Sequence, residues 1–382
     1  MQFTGPLAAK GIEDTTFYVY NPYIALNEVG DSPGKAGLPI EAFHRKMQYR
    51  QANSPLTLNA TSTHDTKRGE DSRIRLSLLS CKPMEWIDAV MNWRDINHAL
   101  IANVNGRPAP SSNDEYLIYQ ALLGGFPEDF TVTDNFRERF AGYLTKALRE
   151  AKTETNYDHP DEQYEKSCQT FATAILQKNS PFLHDFIPFA VTIIRQSYVY
   201  SLSMLLIKLT APGIPDIYQG AELWELSFVD PDNRRPVDYA RRAGLLQQII
   251  TEEAKDAGMV LRFLHAHREK GAQKLFTIYR TLHFRKHYPR LFSAGEYIPV
   301  AVKGPVLAYI RRLDPDWILV LVPLIRYNDP LPASLSVSLP TQAPSIWTHL
   351  FTGDTFSAGD SLLECKDIWD RWPVALLHGT SV

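Results

Sequence analysis

The feature that most constrains the fold is a strand, polar loop and helix pattern that occurs twice in the sequence. Residues 56–61 form a short apolar run, typical of a mostly buried strand as is the second run below, and the polar segment 62–68 follows it directly, with a helical pattern beyond. A second apolar run at 210–220 leads through the polar loop 222–238 into another helical pattern. Barrel enzymes hold their chemistry in the loops at the carboxyl ends of strands. The sequence therefore predicts an α/β fold with two candidate site loops.

The region between these two units has a helical pattern. Trp86, Val90 and Trp93 recur at three- and four-residue steps, and no strand-like run interrupts residues 83–182. This spacing predicts a helical subdomain inserted between the two βα units. Elsewhere in the chain, helices are predicted at 40–51, 183–208, 239–250 and 274–286.

The last hundred residues change to a strand pattern. Short runs of apolar and β-branched residues alternate with turns, which predicts a small antiparallel β-domain. These runs lie at 297–302, 306–313, 317–322, 334–339 and 374–377.

The composition argues against several classes of partner. The 40 basic and 43 acidic residues give a net charge of −3, so neither a basic field for nucleic acid nor a polybasic membrane anchor is indicated. No run reaches the roughly 18 apolar residues of a membrane span. The first residues carry no secretory signal pattern. We therefore expect a cytoplasmic protein with no nucleic acid and no membrane as partner.

The sequence gives no indication of a cofactor or metal. Cys81, Cys168 and Cys365 are odd in number and widely spaced, which fits neither a disulfide framework nor a zinc site. There is no phosphate-binding glycine loop, dinucleotide fingerprint or Gly-x-Ser-x-Gly motif. We expect no cofactor and no metal.

The first candidate site is the pair His64–Asp65 in the loop after the first strand. A carboxylate beside an imidazole, close to Lys67 and Arg68, can hold sugar hydroxyls or stabilise positive charge on a sugar ring. The alternative is structural: Asp65 caps the next helix, and Arg68 pairs with Glu70 on the surface. The dipeptide alone leaves both interpretations open.

The second candidate is the segment 230–236, which holds two carboxylates, an amide and two guanidinium groups between two prolines. Such planar hydrogen-bonding groups can bind a polyhydroxylated ligand. A structural turn with mutual ion pairs is the alternative. The third candidate, Lys10 to Asp14, is by itself no more specific than any charged loop.

Longer segments resemble one known family, the maltooligosyl trehalose synthases of the alpha-amylase family (glycoside hydrolase family 13). The resemblance covers nearly the whole chain, and several segments are long and specific. They are 9–18, 26–30, 61–68, 113–120, 146–152, 208–224 and 229–238.

The resemblance implies an intramolecular transglycosylation that turns the reducing-end α-1,4 bond of a maltooligosaccharide into an α,α-1,1 bond. It implies the retaining mechanism with a nucleophilic carboxylate and a second acid. Asp65 looks like the third acid of the family, which stabilises the oxocarbenium-like transition state, with His64 bonding the same sugar. The implied substrate-binding residues are His64, Lys67, Arg68, Lys10, Glu13, Asp14, Tyr18, Tyr218, Glu222, Asp230, Asn233 and Arg234.

The resemblance also implies a fold class of α/β plus β: the C-terminal portion of a (β/α)8 TIM barrel with a helical insertion, followed by a small antiparallel β-sandwich domain. A barrel of this type needs eight βα units over roughly 250 residues, and only the last two are recognisable here. The implied domains are 1–82 (a barrel segment with the seventh strand and its active-site loop), 83–182 (helical insertion), 183–270 (last βα unit) and 271–382 (linking helix and β-domain).

In this family the nucleophile and general acid lie on barrel strands that precede the block around Lys10, and those strands are not found in this sequence. We therefore expect the missing N-terminal half of the barrel to be a partner. We also expect the isolated chain to be inactive and either poorly stable or self-associated, because part of a barrel exposes strand edges and apolar surface. The alternatives are a non-catalytic α-glucan-binding or scaffolding remnant and a fragment of an α-glucan hydrolase.

Overall fold

The computed structural model describes residues 2–34, 37–325 and 334–381. The chain forms two compact units, and each is made of separate stretches of sequence. The first unit consists of Met1–Ala36, Ser62–Ser197 and Glu225–Pro236, and the second of Gly37–Thr61, Tyr198–Trp224 and Val237–Val382. These units do not follow the four domains expected from the sequence, which remain a prediction.

The helices occupy most of the first unit and the middle of the second. A π-helix at Ala9–Thr16 joins the first two α-helices into one helical segment. The α-helices in chain order are α1 (Thr4–Ala8), α2 (Phe17–Val19), α3 (Ile40–Asn53), α4 (Glu70–Ser77), α5 (Pro83–Asn97), α6 (Ser112–Gly125), α7 (Asp134–Ala151), α8 (Glu162–Ile175), α9 (Pro181–Thr210), α10 (Tyr239–Glu253), α11 (Ala257–Ala266), α12 (Ala272–His287) and α13 (Pro289–Ser293).

Side-chain caps set where several helices begin. Ser111, Thr133, Asp161 and Asp238 each accept a hydrogen bond from a backbone N–H in the first turn of α6, α7, α8 and α10 respectively. Such caps satisfy donors that the helix itself leaves unpaired. The helices predicted at 40–51, 183–208, 239–250 and 274–286 are confirmed as α3, α9, α10 and α12.

Helix α9 is long and apolar enough to cross a membrane by length and composition, with 30 residues and a mean hydropathy of 1.3 over its most apolar window. However, 56% of that window is buried within the protein. A core helix meets the same criteria, so this feature is weak evidence for a membrane segment.

The strands form three sheets within the described residues: a parallel pair, a hairpin and one large antiparallel sheet. In chain order they are β1 (Leu58–Asn59), β2 (Ala102–Val104), β3 (Arg107–Ala109), β4 (Ile214–Pro215), β5 (Glu296–Val300), β6 (Val306–Leu313), β7 (Asp316–Pro323), β8 (Ser334–Ser338), β9 (Ile346–His349), β10 (Thr355–Gly359), β11 (Leu362–Lys366) and β12 (Ala375–Thr380).

The strands of the two predicted βα units pair with each other. Leu58 lies opposite Ile214 in a parallel register, as neighbouring strands of an α/β sheet do. The expectation of a mostly buried strand is wrong for the first run, where Leu56 and Leu58 are 60% and 65% exposed. In the second run residues 210–213 are buried, but Ile214 in the strand itself is 43% exposed. Among the described residues this sheet consists of two strands of two residues each, so it is too small to bury these side chains.

The helical subdomain at 83–182 is interrupted by the hairpin β2–β3, which the sequence analysis did not predict. Asn105 and Gly106 at its tip both have positive φ, 51° and 83°. An Asn-Gly pair is the usual sequence of a tight hairpin turn in that conformation. The turn residues were therefore recognisable in the sequence, but strands of three residues on either side are too short to show an alternation of apolar and polar residues.

The C-terminal β-domain is confirmed as antiparallel, and the eight strands of its described part lie in the order β5-β6-β7-β12-β9-β10-β11-β8. The hydrogen bonding is continuous through all eight strands, so the predicted two-sheet sandwich is a single sheet. Its ends curl towards each other, because one core holds Ile310 and Leu319 from β6 and β7 together with Val337 and Leu363 from β8 and β11.

The strand predictions at 306–313 and 317–322 match β6 and β7, and those at 297–302, 334–339 and 374–377 match β5, β8 and β12 within a few residues. The sequence analysis missed β9, β10 and β11. Strand β10 has the sequence TFSAG, and a turn with positive φ at Asp360 and Ser361 connects it to β11. Short strands with few large apolar residues give little pattern, and pairing with neighbours defines them instead.

Candidate functional site

The loop 62–68 of the first unit is held by one buried carboxylate, that of Glu28. Glu28 accepts hydrogen bonds from the backbone N–H groups of Lys67 at 2.8 Å and Arg68 at 3.3 Å, and it forms an ion pair with Arg73 at 3.1 Å. Sequence reasoning assigned no role to Glu28, although it lies within a segment that carried the resemblance. Its contacts show that it fixes the end of the loop.

The other side of the loop is held by a turn and by an amide. Thr66 Oγ1 donates to the Thr63 carbonyl at 3.0 Å, and Thr63 Oγ1 accepts from the Asp65 backbone at 3.2 Å. Asn233 Nδ2 lies 3.1 Å from the His64 carbonyl and 3.3 Å from that of Thr63. The predicted substrate-binding residue Asn233 therefore uses its amide nitrogen to position the loop.

These contacts leave the side chains at the tip of the loop open. His64 is exposed and Asp65 is half-buried. Within the described residues, the Asp65 carboxylate accepts no hydrogen bond from the chain, and it interacts electrostatically with the Lys10 ammonium group. The backbone of Asp65 is held in place while its carboxylate oxygens remain available as acceptors, which suits them to bind ligand hydroxyl groups.

The structural alternative for this loop is wrong in both parts. Helix α4 begins after Gly69 without a side-chain cap, and Ser62 Oγ, not Asp65, accepts from the Glu70 backbone at 3.0 Å. A surface pair between Arg68 and Glu70 does not form, because both residues are buried.

Arg68 does not offer its guanidinium group to a ligand. It is 4% exposed, and its Nη1 donates to the backbone carbonyls of Ile24 and Asn27, each at 3.2 Å. The prediction that Arg68 holds a terminal sugar is therefore replaced by a structural role: Arg68 joins the loop 62–68 to the segment around Asn27.

Lys10, Asp14 and Lys67 form a charged cluster, which we call the lysine–aspartate cluster. Asp14 lies between the two ammonium groups, 2.5 Å from Lys10 Nζ and 3.2 Å from Lys67 Nζ. Burial raises the pKa of Asp14, but the hydrogen bonds from Lys10 and Lys67 outweigh it and hold the pKa below its usual value. Lys10 is exposed while Lys67 is buried, so the cluster runs from the interior to the surface.

The π-helix explains why these residues face one way. Thr15 Oγ1 donates to the Lys10 carbonyl and Thr16 Oγ1 to the Gly11 carbonyl, both five residues earlier and both at 2.8 Å. Lys10 and Asp14 are four residues apart, a spacing that places both on the same side of the helix. π-segments of this kind are frequent at functional sites. Glu13 instead accepts from the Gly30 backbone at 3.3 Å.

Tyr18 lies beneath the cluster and is 2% exposed, so it does not meet a ligand at the surface as the resemblance implied. Within the described residues its hydroxyl has no hydrogen-bond partner, and the same is true of the buried Tyr143 hydroxyl on α7. Burial raises the pKa of Tyr18 well above its usual value, and the nearby Tyr143 hydroxyl adds to this.

The segment 230–236 is fixed by cations from α7. Lys146 donates to the Asp230 carboxylate at 2.6 Å, and Arg139 binds the Asp232 carboxylate through two hydrogen bonds of 2.7 and 2.8 Å. Arg234 lies 3.7 Å from Asp230 and Arg235 lies 2.8 Å from Asp232. The structural alternative of mutual ion pairs is therefore realised here, and Arg234 keeps half of its side chain exposed.

The remaining predicted residues, Tyr218 and Glu222, belong to the second unit. Glu222 pairs with Arg242 at 2.9 Å, and the Tyr218 carbonyl accepts from Ala221 at 2.8 Å. The lysine–aspartate cluster belongs to the first unit. Among the described residues no group of three or more His, Cys, Asp or Glu side chains is arranged to hold a metal.

Comparison with known proteins identifies the relatives of this fold and site. The putative maltooligosyl trehalose synthase of Mycobacterium tuberculosis (strain CDC 1551 / Oshkosh) is 31% identical over 379 residues, which cover 98% of this chain. The chain is a homologue of the C-terminal half of maltooligosyl trehalose synthases. The resemblance inferred from the sequence is confirmed. The chain spans 44% of the length of that relative.

Solved structures of maltooligosyl trehalose synthases show the same relation. One crystal structure has a TM-score of 0.79 and 29% identity, covering 97% of this chain and 46% of its own. The synthase from Arthrobacter ramosus has a TM-score of 0.78 and 28% identity, covering 97% of this chain and 45% of its own. The DSM5389 glycosyltrehalose synthase has a TM-score of 0.76 and 30% identity, covering 98% and 44%. No protein-family model matches the sequence.

Proposed function

We propose that this chain is the substrate-side half of a (1→4)-α-D-glucan 1-α-D-glucosylmutase, which turns the reducing-end α-1,4 bond of a maltooligosaccharide into an α,α-1,1 trehalose bond. The observation that carries the proposal is the Asp65 carboxylate, which accepts no hydrogen bond within the described residues and interacts electrostatically with Lys10 of the lysine–aspartate cluster. The homology to this family over 98% of the chain supports it.

In this proposal Asp65 stabilises the oxocarbenium-like transition state. Its oxygens are not used by the chain's own donors, so they accept hydrogen bonds from hydroxyl groups of the distorted sugar, with His64 beside them. The nucleophile and the general acid come from the N-terminal half of the barrel. Asp65 strengthens binding as the ring becomes positive, so its contribution is larger in the transition state than in the ground state.

The lysine–aspartate cluster then holds the glucose unit released in the first step. An exposed ammonium group on Lys10 and a carboxylate held ionised by two lysines provide both donors and acceptors for sugar hydroxyl groups. Holding the glucose while it turns over favours transfer to it, and excluding water disfavours hydrolysis.

The parallel pair β1–β4 supports the barrel assignment. Each strand is followed by a polar loop and then a helix, and the two strands are neighbours, as the last two strands of a (β/α)8 barrel would be. In this proposal the exposed Leu56, Leu58 and Ile214 are covered by the N-terminal half of the barrel. The assembled enzyme works in the cytoplasm.

The test is co-expression of this chain with the N-terminal half of a related synthase, followed by an assay for conversion of maltopentaose to a non-reducing product. We expect activity from the pair and none from the chain alone. Asp65→Asn abolishes it with a loss of at least about a hundredfold, the usual scale for a group that stabilises transition-state charge. Asp88→Asn, which replaces an exposed carboxylate on α5, is the matched control and keeps full activity.

Two results would contradict the proposal. A soluble complex of the two halves without activity favours the non-catalytic α-glucan-binding reading. Release of free glucose without any non-reducing product favours the hydrolase reading.

A further inference from the structure

The C-terminal end of α7 contacts the π-helix that carries Lys10 and Asp14, although α7 belongs to the region expected to be only an inserted subdomain. Lys146, five residues before the end of α7, reaches the Asp230 carbonyl at 2.9 Å as well as its carboxylate. Lys152, just after the helix, donates to Thr15 Oγ1 of the π-helix at 3.0 Å. Glu150 lies one helical turn after Lys146 and just before Lys152, so it faces the same side.

Glu150 is a half-buried carboxylate surrounded by the groups of the cluster. Its electrostatic neighbours are Asp14, Lys146, Lys10 and Lys152, and the exposed Tyr157 hydroxyl also interacts with it as a hydrogen-bond donor. Burial raises its pKa, Asp14 adds to this, and the three lysines oppose it. Within the described residues it forms no ion pair closer than 4 Å, in contrast to its neighbour Arg149, which binds Glu165 at 2.8 Å.

A second observation also points to a ligand at this place. The Tyr18 and Tyr143 hydroxyl groups are both buried, with 2% and 4% of each residue exposed, and neither has a partner among the described residues. Tyr18 interacts electrostatically with Tyr143, Glu150 and Asp14. Buried hydroxyl groups without a partner are rare, and an ordered water or ligand group usually accounts for them.

We propose that Glu150 is a sugar-binding residue of this enzyme, which accepts hydrogen bonds from the glucose unit held by Lys10 and Asp14. The inference rests on the proposed function and extends the site to the helical insertion. Two carboxylates on neighbouring elements, each flanked by lysines, bind adjacent hydroxyl groups of one sugar ring, while the ammonium groups donate to the ring's oxygens. An ordered water beneath that ring joins the Tyr18 and Tyr143 hydroxyl groups to it.

Since Glu150 binds the transferred glucose, it decides whether that glucose is kept or lost. The test compares Glu150→Gln with Glu138→Gln in the co-expressed enzyme and measures free glucose relative to non-reducing product from maltopentaose. Glu138 lies on the same helix and is exposed, which makes it a matched control. We expect Glu150→Gln to raise the share of free glucose about tenfold, the effect of losing one hydrogen bond to a charged group, and Glu138→Gln to leave it unchanged.

A binding measurement on the chain alone separates this inference from the proposed function. We expect calorimetric titration with trehalose to show binding that weakens about tenfold in Glu150→Gln, while the melting temperature stays that of the wild type. If the pair of halves is inactive but this difference in binding is found, the proposed reaction fails and the sugar site stands. If Glu150→Gln matches the wild type in product ratio and in trehalose binding, Glu150 is structural and the inference is overturned.

Discussion

Two arrangements of buried positive charge, one in each unit, differ in what the cations face. In the first unit Lys67 faces the Asp14 carboxylate and Arg139 faces that of Asp232. In the second unit the guanidinium groups of Arg285 and Arg311 face backbone carbonyls, and within the described residues neither forms an ion pair. The first arrangement leaves polar groups that a ligand can share, whereas the second uses its donors to hold the chain, as Arg68 also does in the first unit.

The carbonyls bound by these arginines lie where α9 ends. Arg285 donates to Leu209 at 2.7 Å and to Gly213 at 3.2 Å, and Arg311 donates to Thr210 at 3.1 Å. The last carbonyls of a helix have no partner within it, and the helix dipole is negative there, so a cation is favoured. Burial lowers the pKa of both arginines to about 10, and they remain charged at neutral pH. This arrangement fixes the turn that leads into β4.

The largest effect that would test this comparison is that of Arg311→Ala. Arg311 also donates to Gln51 at 2.7 Å and to the carbonyls of Phe292 and Gly295, each at 3.0 Å. Its removal leaves several buried acceptors unpaired, and we expect a loss of about 3–5 kcal/mol in the free energy of unfolding. Urea denaturation measures it. Arg312→Ala on the same strand, where the side chain pairs with Asp314 near the surface, loses much less stability, because solvent screens that pair. Equal losses in the two variants would refute the comparison.

The next effect concerns pH. Burial lowers the pKa of His349 in the second unit to about 4, from 6.5, so the unfolded chain takes up the proton first as the pH falls. Its contribution is therefore complete above about pH 6.5 and is lost as the pH falls towards 4, by about 2 kcal/mol at pH 5. His349→Asn, which keeps an acceptor for the Phe351 N–H, removes this part of the pH dependence in urea denaturation at pH 7 and pH 5. The exposed His265→Asn does not; if it did, the assignment to His349 would be wrong.

The smallest effect on stability is expected from Asp14→Asn in the first unit. Its partner Lys10 is exposed, and partly exposed ion pairs contribute about 1 kcal/mol or less. The amide oxygen of the substituted side chain can still accept a hydrogen bond from the buried Lys67, so that ammonium group keeps a partner. The effect on sugar binding is larger, about tenfold weaker trehalose binding by calorimetry, because a charged acceptor is lost. The comparison of the two units therefore predicts that Asp14→Asn weakens sugar binding more than it lowers the free energy of unfolding. A loss above about 3 kcal/mol with unchanged binding would show that the lysine–aspartate cluster is structural instead.

The sequence was sufficient for features that depend on local pattern. The polar loop 62–68, the long apolar helix α9 and strands β6 and β7 all follow from spacing over neighbouring residues, and the structure has them where the pattern put them. The candidate residues Lys10, Asp14 and Lys67 were also identified by sequence, and the structure brings them into one cluster.

The sequence was not sufficient where a residue's environment decides its role. Arg68 and Tyr18 were expected at the ligand, yet both are buried. The sequence analysis assigned no role to Glu28 or Glu150, since a single glutamate in a charged segment shows no pattern that predicts its partners. The partners of Glu28 lie far along the chain: it binds the backbone 39 and 40 residues later.

By itself, then, the sequence determined the family resemblance, the longer helices and strands and the set of polar residues available for binding, because motifs and periodicity are local properties of the chain. Only the tertiary structure decided which of those polar groups face each other and which remain open. The Asp65 carboxylate remains available to a ligand because Glu28, Thr66 and Asn233 hold its loop through the backbone. The Arg68 guanidinium group does not, because it donates to the carbonyls of Ile24 and Asn27. Burial and hydrogen bonding between distant segments make that difference.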